Sequence, residues 1–368
     1  MKPRVWTWAL AALALAGVSV AEDSAPIRVN LDLGMPLVRS AGGVADARLL
    51  DVNVVVFDPG LDAPIPQATE VFPKLRRLEA QYLAHALRNT LAESAQWGAV
   101  RTMPEPATGA ELEVYGQLLV SDGRDFAVAI GATDASGRRW LDAVYTARAT
   151  AGRYAFPIEE DPFQPLINKI ANDLLAARQQ LTERDLARVV ELASLRYAEA
   201  LLPSVFSEYL TTGDDGLIVP LRLPSRDDPT VARVERIRER EYLFTDTLDT
   251  GYGVLFEDLR VNYTLWRKYS YEEIVGLERY RASASRRRDD GSLNSMMRRY
   301  GDFRELKLQK SSLREAAETL ETDIEPTAVE VEGRVLELDG SLDERYVEWR
   351  RLLAELAAAE QGLPPESP

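Results

Sequence analysis

The stretch DFAVAIGATDASGRRWLDAVY, residues 125–145, sets an Asp-Ala-Ser-Gly sequence between two alternating runs, and its reading decides the fold. Phe126, Val128 and Ile130 alternate with small or polar residues before the centre, and Leu141, Ala143 and Tyr145 do so after it. That period of two belongs to strands with one face buried. The Asp134/Ser136 pair invites a metal-loop reading. A calcium loop needs oxygen ligands at alternating positions, and the next two here are Arg138 and Trp140, so the ligand run fails. Asp at a turn start and Gly where positive φ is needed explain the same residues as a hairpin. Its register is fixed because a one-residue slip would turn Phe126, Val128 and Ile130 out of the core.

Upstream, ARLLDVNVVVFDP reads as a buried strand. The segment 72–96 reads as a helix, with Pro73 suited to its first turn and an apolar stripe from Leu75 through Leu91. WGAVRTMP and ELEVYGQLLVSDG add strands, and IRVNLDLG before them is strand-like. These elements predict an α+β protein. Its N-terminal α/β module, residues 46–155, has a helix packed on a mainly antiparallel sheet and follows an N-terminal segment, 22–45.

From residue 156 to 300 helices dominate the pattern. One begins at Thr182-Glu183-Arg184-Asp185, which resembles a helix-start cap, and another starts between Ser225 and Pro229. The aromatic-rich segment 241–283 is expected as two helices interrupted at Gly251 and Gly253. Residues 301–362 are expected as a helix over 303–322, a β-hairpin around Glu332-Gly333-Arg334, and a last helix opened by the capping box Ser341-Leu342-Asp343-Glu344. A tail, 363–368, follows.

Residues 1–21 have the layout of a signal peptide: Lys2 and Arg4, an apolar run from Val5 to Val18, and Ser19-Val20-Ala21 at the cleavage point. Cleavage after Ala21 is expected to deliver the chain to the periplasm. Loss of Lys2 and Arg4 takes the formal charge from −15 to −17, the opposite of a nucleic-acid-binding footprint. The chain contains no cysteine, which removes disulfides, thiolate metal sites, cysteine nucleophiles and a lipidated N-terminal Cys together.

Catalytic material is sparse. The single histidine, His85, falls near Leu78 and Tyr82 at the edge of a helical apolar stripe, and no Gly-x-Ser-x-Gly elbow accompanies it. A packing role is expected. With one histidine and no cysteine, no metal site or cofactor is expected. Glu159-Glu160-Asp161, Asp214-Asp215 and Asp289-Asp290 are adjacent carboxylates in loops, and adjacency alone does not make an acid/base pair. Basic charge concentrates once, from Glu278 to Lys310. Arg286, Arg287, Arg288, Arg298 and Arg299 there form a candidate docking patch for an anionic partner, set against a solvated connection.

The order of elements over 50–145 resembles the small α/β modules of bacterial envelope proteins, such as the amino-terminal domain of the Tol-Pal translocation protein and the curli-secretion lipoprotein group. The residues carrying the likeness are Ala95, Trp97 and Gly98 at the helix exit, then Gly116 and Leu118 in the next strand. With VEVEGRVLELDGSLDERYVEWRRLL near its end, the whole chain resembles a family of exported, periplasmic proteobacterial proteins. That resemblance brings no catalytic motif, and the missing cysteine departs from the lipoprotein members. The expected function is a non-catalytic periplasmic adaptor, assembly or structural protein with envelope protein partners, no nucleic acid, and membrane or peptidoglycan as a peripheral contact. The alternatives are a carboxylate-dependent hydrolase acting on envelope glycan and a module binding glycan or a small ligand. The sequence leaves the oligomeric state open.

Overall fold

The computed structural model describes residues 27–31, 35–45, 49–62, 72–154, 161–225, 227–286, 327–331, 334–338 and 341–360. Six strands form the main sheet: β1 (Ile27–Leu31), β2 (Val52–Val55), β3 (Val100–Met103), β4 (Leu112–Ser121), β5 (Asp125–Asp134) and β6 (Arg139–Arg148). Their order is β1-β6-β5-β4-β2-β3. The long ladders β4–β5 and β5–β6 are antiparallel, whereas β1–β6, β2–β3 and β2–β4 are parallel. The longest ladders are antiparallel, as expected, and shorter parallel pairings flank them to give a mixed sheet. A helix joins β2 to β3, and such a crossover returns the chain parallel, whereas the short turns after β4 and β5 can only reverse it.

The β5–β6 turn settles the opening stretch. Asp134 is buried, and its Oδ1 accepts from the Ser136 amide at 2.8 Å and the Arg138 amide at 3.2 Å. Its Oδ2 accepts from Trp140 Nε1 at 2.8 Å. Gly137 has φ +84°, the left-handed conformation that the turn needs. Every Asp134 oxygen serves the turn.

The crossover helix α1 (Pro73–Glu93) carries Pro at its start and buries Leu75, Tyr82, Leu83, Leu87 and Leu91. After it Ala95 takes φ +52°, and Gly98 follows where a Cβ would lie 2.4 Å from Asp51 Oδ1. Glycine there lets the returning chain run close beside the start of β2. Helix α2 (Gln164–Gln179) packs on α1 and β6. Helix α3 (Glu183–Leu201) starts at a capping box between Thr182 and Asp185 and gathers Leu186, Val189, Leu192 and Ala193 with Leu50 and Ala135 into a second, smaller apolar cluster. A short helix α4 (Pro203–Phe206) and an antiparallel strand pair, β7 (Leu210–Thr212) and β8 (Ile218–Pro220), follow.

The segment expected as two helices is one: α5 runs unbroken from Pro229 to Arg286, 58 residues, or roughly 87 Å at 1.5 Å per residue. Gly251 lies inside it because Leu342 uses its bareness, whereas Gly253 has room for a small side chain. A Cβ on Gly251 would come within 2.9 Å of Leu342, and one on Gly253 within 3.6 Å of His85. Each costs a helix only about 1 kcal/mol, which packing along both flanks outweighs. Strands β9 (Thr327–Val331) and β10 (Arg334–Leu338) pair antiparallel, and a last helix, α6 (Leu342–Glu360), follows. Its Ser341/Glu344 capping box forms as expected, with the Ser341 amide donating to Glu344 at 2.9 Å. Trp349 of α6 stacks on Phe244 of α5 at 4.6 Å. The helix expected over 303–322 lies outside the described residues.

One apolar core joins the sheet, α1, α2, α5 and α6. Helix α5 also closes the sheet edge at β3: the Asp249 carboxylate accepts the Thr102 amide at 2.8 Å. An open strand edge is thereby covered.

Candidate functional site

An open groove lies where α1, α2 and α5 meet the extended segment 35–40. It has a volume of about 510 Å³, and Asn89, Thr90, Gln164, Asn168, Phe256 and Arg260 are among its walls. The Tyr82 and Phe256 rings stack at 4.5 Å between α1 and α5. Gln164 Nε2 donates to Thr90 Oγ1 at 2.9 Å and Asn168 Oδ1 at 3.0 Å, which orders the amide rim. Asn168 and Asn172, one helical turn apart on α2, also hold backbone. Asn168 Nδ2 donates to the Met35 carbonyl at 3.0 Å, and Asn172 Nδ2 to the Pro36 carbonyl at 3.0 Å. Asn172 Oδ1 accepts the Val38 amide at 2.9 Å. The α2 rim therefore reads extended polypeptide backbone.

Beneath the groove is a buried charge cluster. Arg267 is fully buried and lies 4.4–5.2 Å from the centroids of Tyr263, Phe163 and Phe126. It donates to Asp161 at 3.1 Å, and its Nη2 lies 3.6 Å from Glu79. Glu79 also accepts from Arg76 at 3.1 Å and from the Ser121 and Tyr263 hydroxyls. Burial pulls the Arg267 pKa down, but Tyr263, Asp161 and Glu79 outweigh it and hold it raised. The cluster ties α1, β4 and α5 together. Of the adjacent carboxylates in the sequence, Asp161 is thus a partner of Arg267, and Asp215 accepts the Leu217 amide in the β7–β8 turn. Glu159, Glu160, Asp289 and Asp290 lie outside the described residues.

A second, small cavity of about 40 Å³ lies between β2, β3, residues 107–111, α3 and α5. Glu241 and Tyr197 are buried at its wall, and burial, with Glu241 beside it, holds the Tyr197 pKa raised. Burial raises the Glu111 pKa, while the Asp51 amide that donates to it at 2.8 Å opposes the shift. The volume suits one or two water molecules.

His85 sits deeper than the stripe edge expected for it, at 4% exposure between the sheet and α5. Its Nδ1 lies 2.8 Å from Thr102 Oγ1 and 3.9 Å from Asp249. Hydroxyl and carboxylate thus meet the same ring nitrogen, so no relay runs through the ring. Burial lowers its pKa from 6.5 to about 4, against the pull of Asp249.

Of the basic patch, Arg286 ends α5, and Arg287, Arg288, Arg298 and Arg299 lie outside the described residues. Of the nine aromatic residues in 241–283, Phe244, Tyr252, Tyr263 and Trp266 are buried, four are half-buried and Tyr269 is exposed. Among the described residues, no group of three or more His, Cys, Asp or Glu could hold a metal, and no helix is long and apolar enough to cross a membrane. Sequence reasoning missed two features. Asn168 and Asn172 were visible as a polar i, i+4 pair beside apolar Ile167 and Ile170. Arg267 was visible as a charge beside the apolar face of Leu259, Tyr263 and Trp266.

Fold and groove define a class: a mixed α/β-sheet protein, braced by one long helix, with an open polar groove at a helix junction. No family model, curated protein or solved structure matches the chain.

Proposed function

We propose that the protein is a non-catalytic adaptor, assembly or structural protein of the cell envelope. It is exported to the periplasm by residues 1–21, and it holds an extended segment of an envelope protein in the groove between α1, α2 and α5. The observation that carries this reading is the pair Asn168 and Asn172, whose amides already bind the backbone of residues 35–38 at the groove rim. Side-chain amides that satisfy backbone donors and acceptors recognise extended chains with little regard to sequence. The basic run from Arg286 to Arg299 is the second proposed contact, with an anionic envelope surface. Photo-crosslinkers at Asn89 and Thr264, with Arg188 on α3 as control, test the groove in intact cells. One envelope protein captured at both groove positions and not at Arg188 supports the reading; no adduct, or the same adducts at all three, refutes it.

A second reading, a glycan or small-ligand module, is favoured by the Phe256 ring beside Arg260 and the groove amides. Stabilisation of the purified protein by peptidoglycan fragments in a thermal-shift series would favour it over the first. The hydrolase alternative draws on Glu111, near Asp51 and Glu241 at the small cavity. A sugar ring needs more than about 40 Å³, so this reading requires the cavity to open.

A further inference from the structure

Helix α5 is apolar on two sides. Phe244, Leu248, Tyr252, Leu255, Leu259 and Tyr263 face the core. On the solvent side Leu243 is 70% exposed, Val254 54%, Val261 59%, Leu265 38% and Tyr269 51%. At 3.6 residues per turn these five fall within roughly 80° of arc, about 60° from the groove residue Thr264 and about 100° from Arg260. Five of the thirteen large exposed hydrophobics among the described residues stand on this one face, with Thr247 and Asp258 interspersed among them.

The spacing identifies what covers it. Val254 stands eleven positions from Leu243 and eleven from Leu265. Eleven residues make three turns almost without drift, so the row stays straight over about 33 Å. Leu243 and Leu265 are placed symmetrically about Val254, with Val261 falling level with Thr247 and Tyr269 with Glu239, so these three apolar anchors can meet themselves in a reversed copy, as a two-fold interface requires. We propose that α5 docks antiparallel on α5 of a second copy of this chain, with the two-fold axis at Val254. Val254 then meets the partner's Val254, Leu243 meets the partner's Leu265, and Thr247 meets the partner's Val261.

The charges along the row agree with that direction. Arg236 comes level with the partner's Glu272, and Glu239 lies one position from the level of the partner's Lys268 on the same flank. Arg240, on the other flank, reaches the partner's Tyr269, a pairing of cation and ring. A parallel pair in register would set Arg236, Glu239, Lys268 and Glu272 each against its own copy, like charge on like. This interface is separate from the groove and stands or falls independently of the groove's ligand.

The absence of cysteine makes the test clean, since each introduced thiol is the only one in its chain. Full-length protein carrying Val254→Cys is oxidised mildly beside Leu243→Cys, Leu265→Cys and a mixture of those two. A disulfide needs Cα atoms within about 7 Å. The expected result is covalent dimer from Val254→Cys and from the mixture, and little from Leu243→Cys or Leu265→Cys alone. In sedimentation, Val254→Glu combined with Val261→Glu is expected to weaken self-association at least tenfold, with unchanged circular dichroism and melting. The proposal is overturned if the unmodified protein stays monomeric to about 100 μM. It is also overturned if Leu243→Cys cross-links to itself as well as Val254→Cys does, or if the monomer instead co-sediments with anionic vesicles through this row.

Discussion

The Asp249 carboxylate of α5 accepts the Thr102 backbone amide of β3 at 2.8 Å while also pairing with Arg88 of α1. One side chain thus closes a sheet edge and joins the long helix to the crossover helix. Asp249→Ala leaves the Thr102 N–H without this acceptor and Arg88 without its carboxylate, and it is expected to cost about 2–4 kcal/mol. Asp249→Asn, which keeps an acceptor, should cost less. Urea denaturation of the three proteins checks the order, and equal stabilities would refute it.

His85 gives the protein an acid-sensitive point. Its folded pKa, about 4, lies below the ordinary 6.5 because burial disfavours the charged ring, with Arg88 adding to the effect and Asp249 opposing it. Between those values the unfolded chain binds the proton and the folded chain does not, so stability falls as pH drops from about 6.5 towards 4. The full loss is up to roughly 3 kcal/mol at 1.36 kcal/mol per pKa unit. His85→Gln should be less stable at pH 7 yet lose less on acidification. Parallel pH curves for the two proteins would show that His85 is not the source.

The turn carboxylate makes a structural prediction. Asp134→Ala removes the acceptor of the Ser136 amide, the Arg138 amide and Trp140 Nε1, and is expected to destabilise by about 1–3 kcal/mol. Trp140 fluorescence should change in the folded state, because its indole partner is lost. Asp134→Asn keeps one acceptor oxygen and should restore part of the stability.

Two glycines should respond with opposite signs. A Cβ on Gly253 meets His85 only at 3.6 Å, so Gly253→Ala is expected to stabilise by up to about 1 kcal/mol through helix propensity. A Cβ on Gly116 meets Phe57 at 2.8 Å and Ile130 at 2.9 Å inside the core. Gly116→Ala is therefore expected to destabilise by about 1–3 kcal/mol. Thermal melts of both variants decide the pair.

Much of the sheet was legible because period-two alternation is a local property: β4, β5, β6 and the Asp134 turn follow from it. The capping boxes at Thr182 and Ser341 were legible for the same reason. Strand direction was less so, since the pairing of β1 with β6 and of β4 with β2 depends on chain that returns from far away. The unbroken α5 was hidden because Gly251 and Gly253 signal a break locally, while the packing that keeps the helix whole comes from distant elements, as where Leu342 closes on Gly251. The groove was invisible for a related reason. Asn89, Gln164 and Arg260 come from three helices, and no short stretch of sequence carries their convergence.

The parallel pairing of Ile27–Leu31 with Ala143–Ala147 also sets an order of assembly. The β4–β5–β6 meander can close from neighbouring residues alone, whereas β1 must wait for a partner more than a hundred residues downstream. During synthesis, β1 is thus made early and is among the last strands to find its place. Until then both β1 and the free side of β6 are unpaired edges, which makes that interval the time when a chaperone or a wrong partner has access.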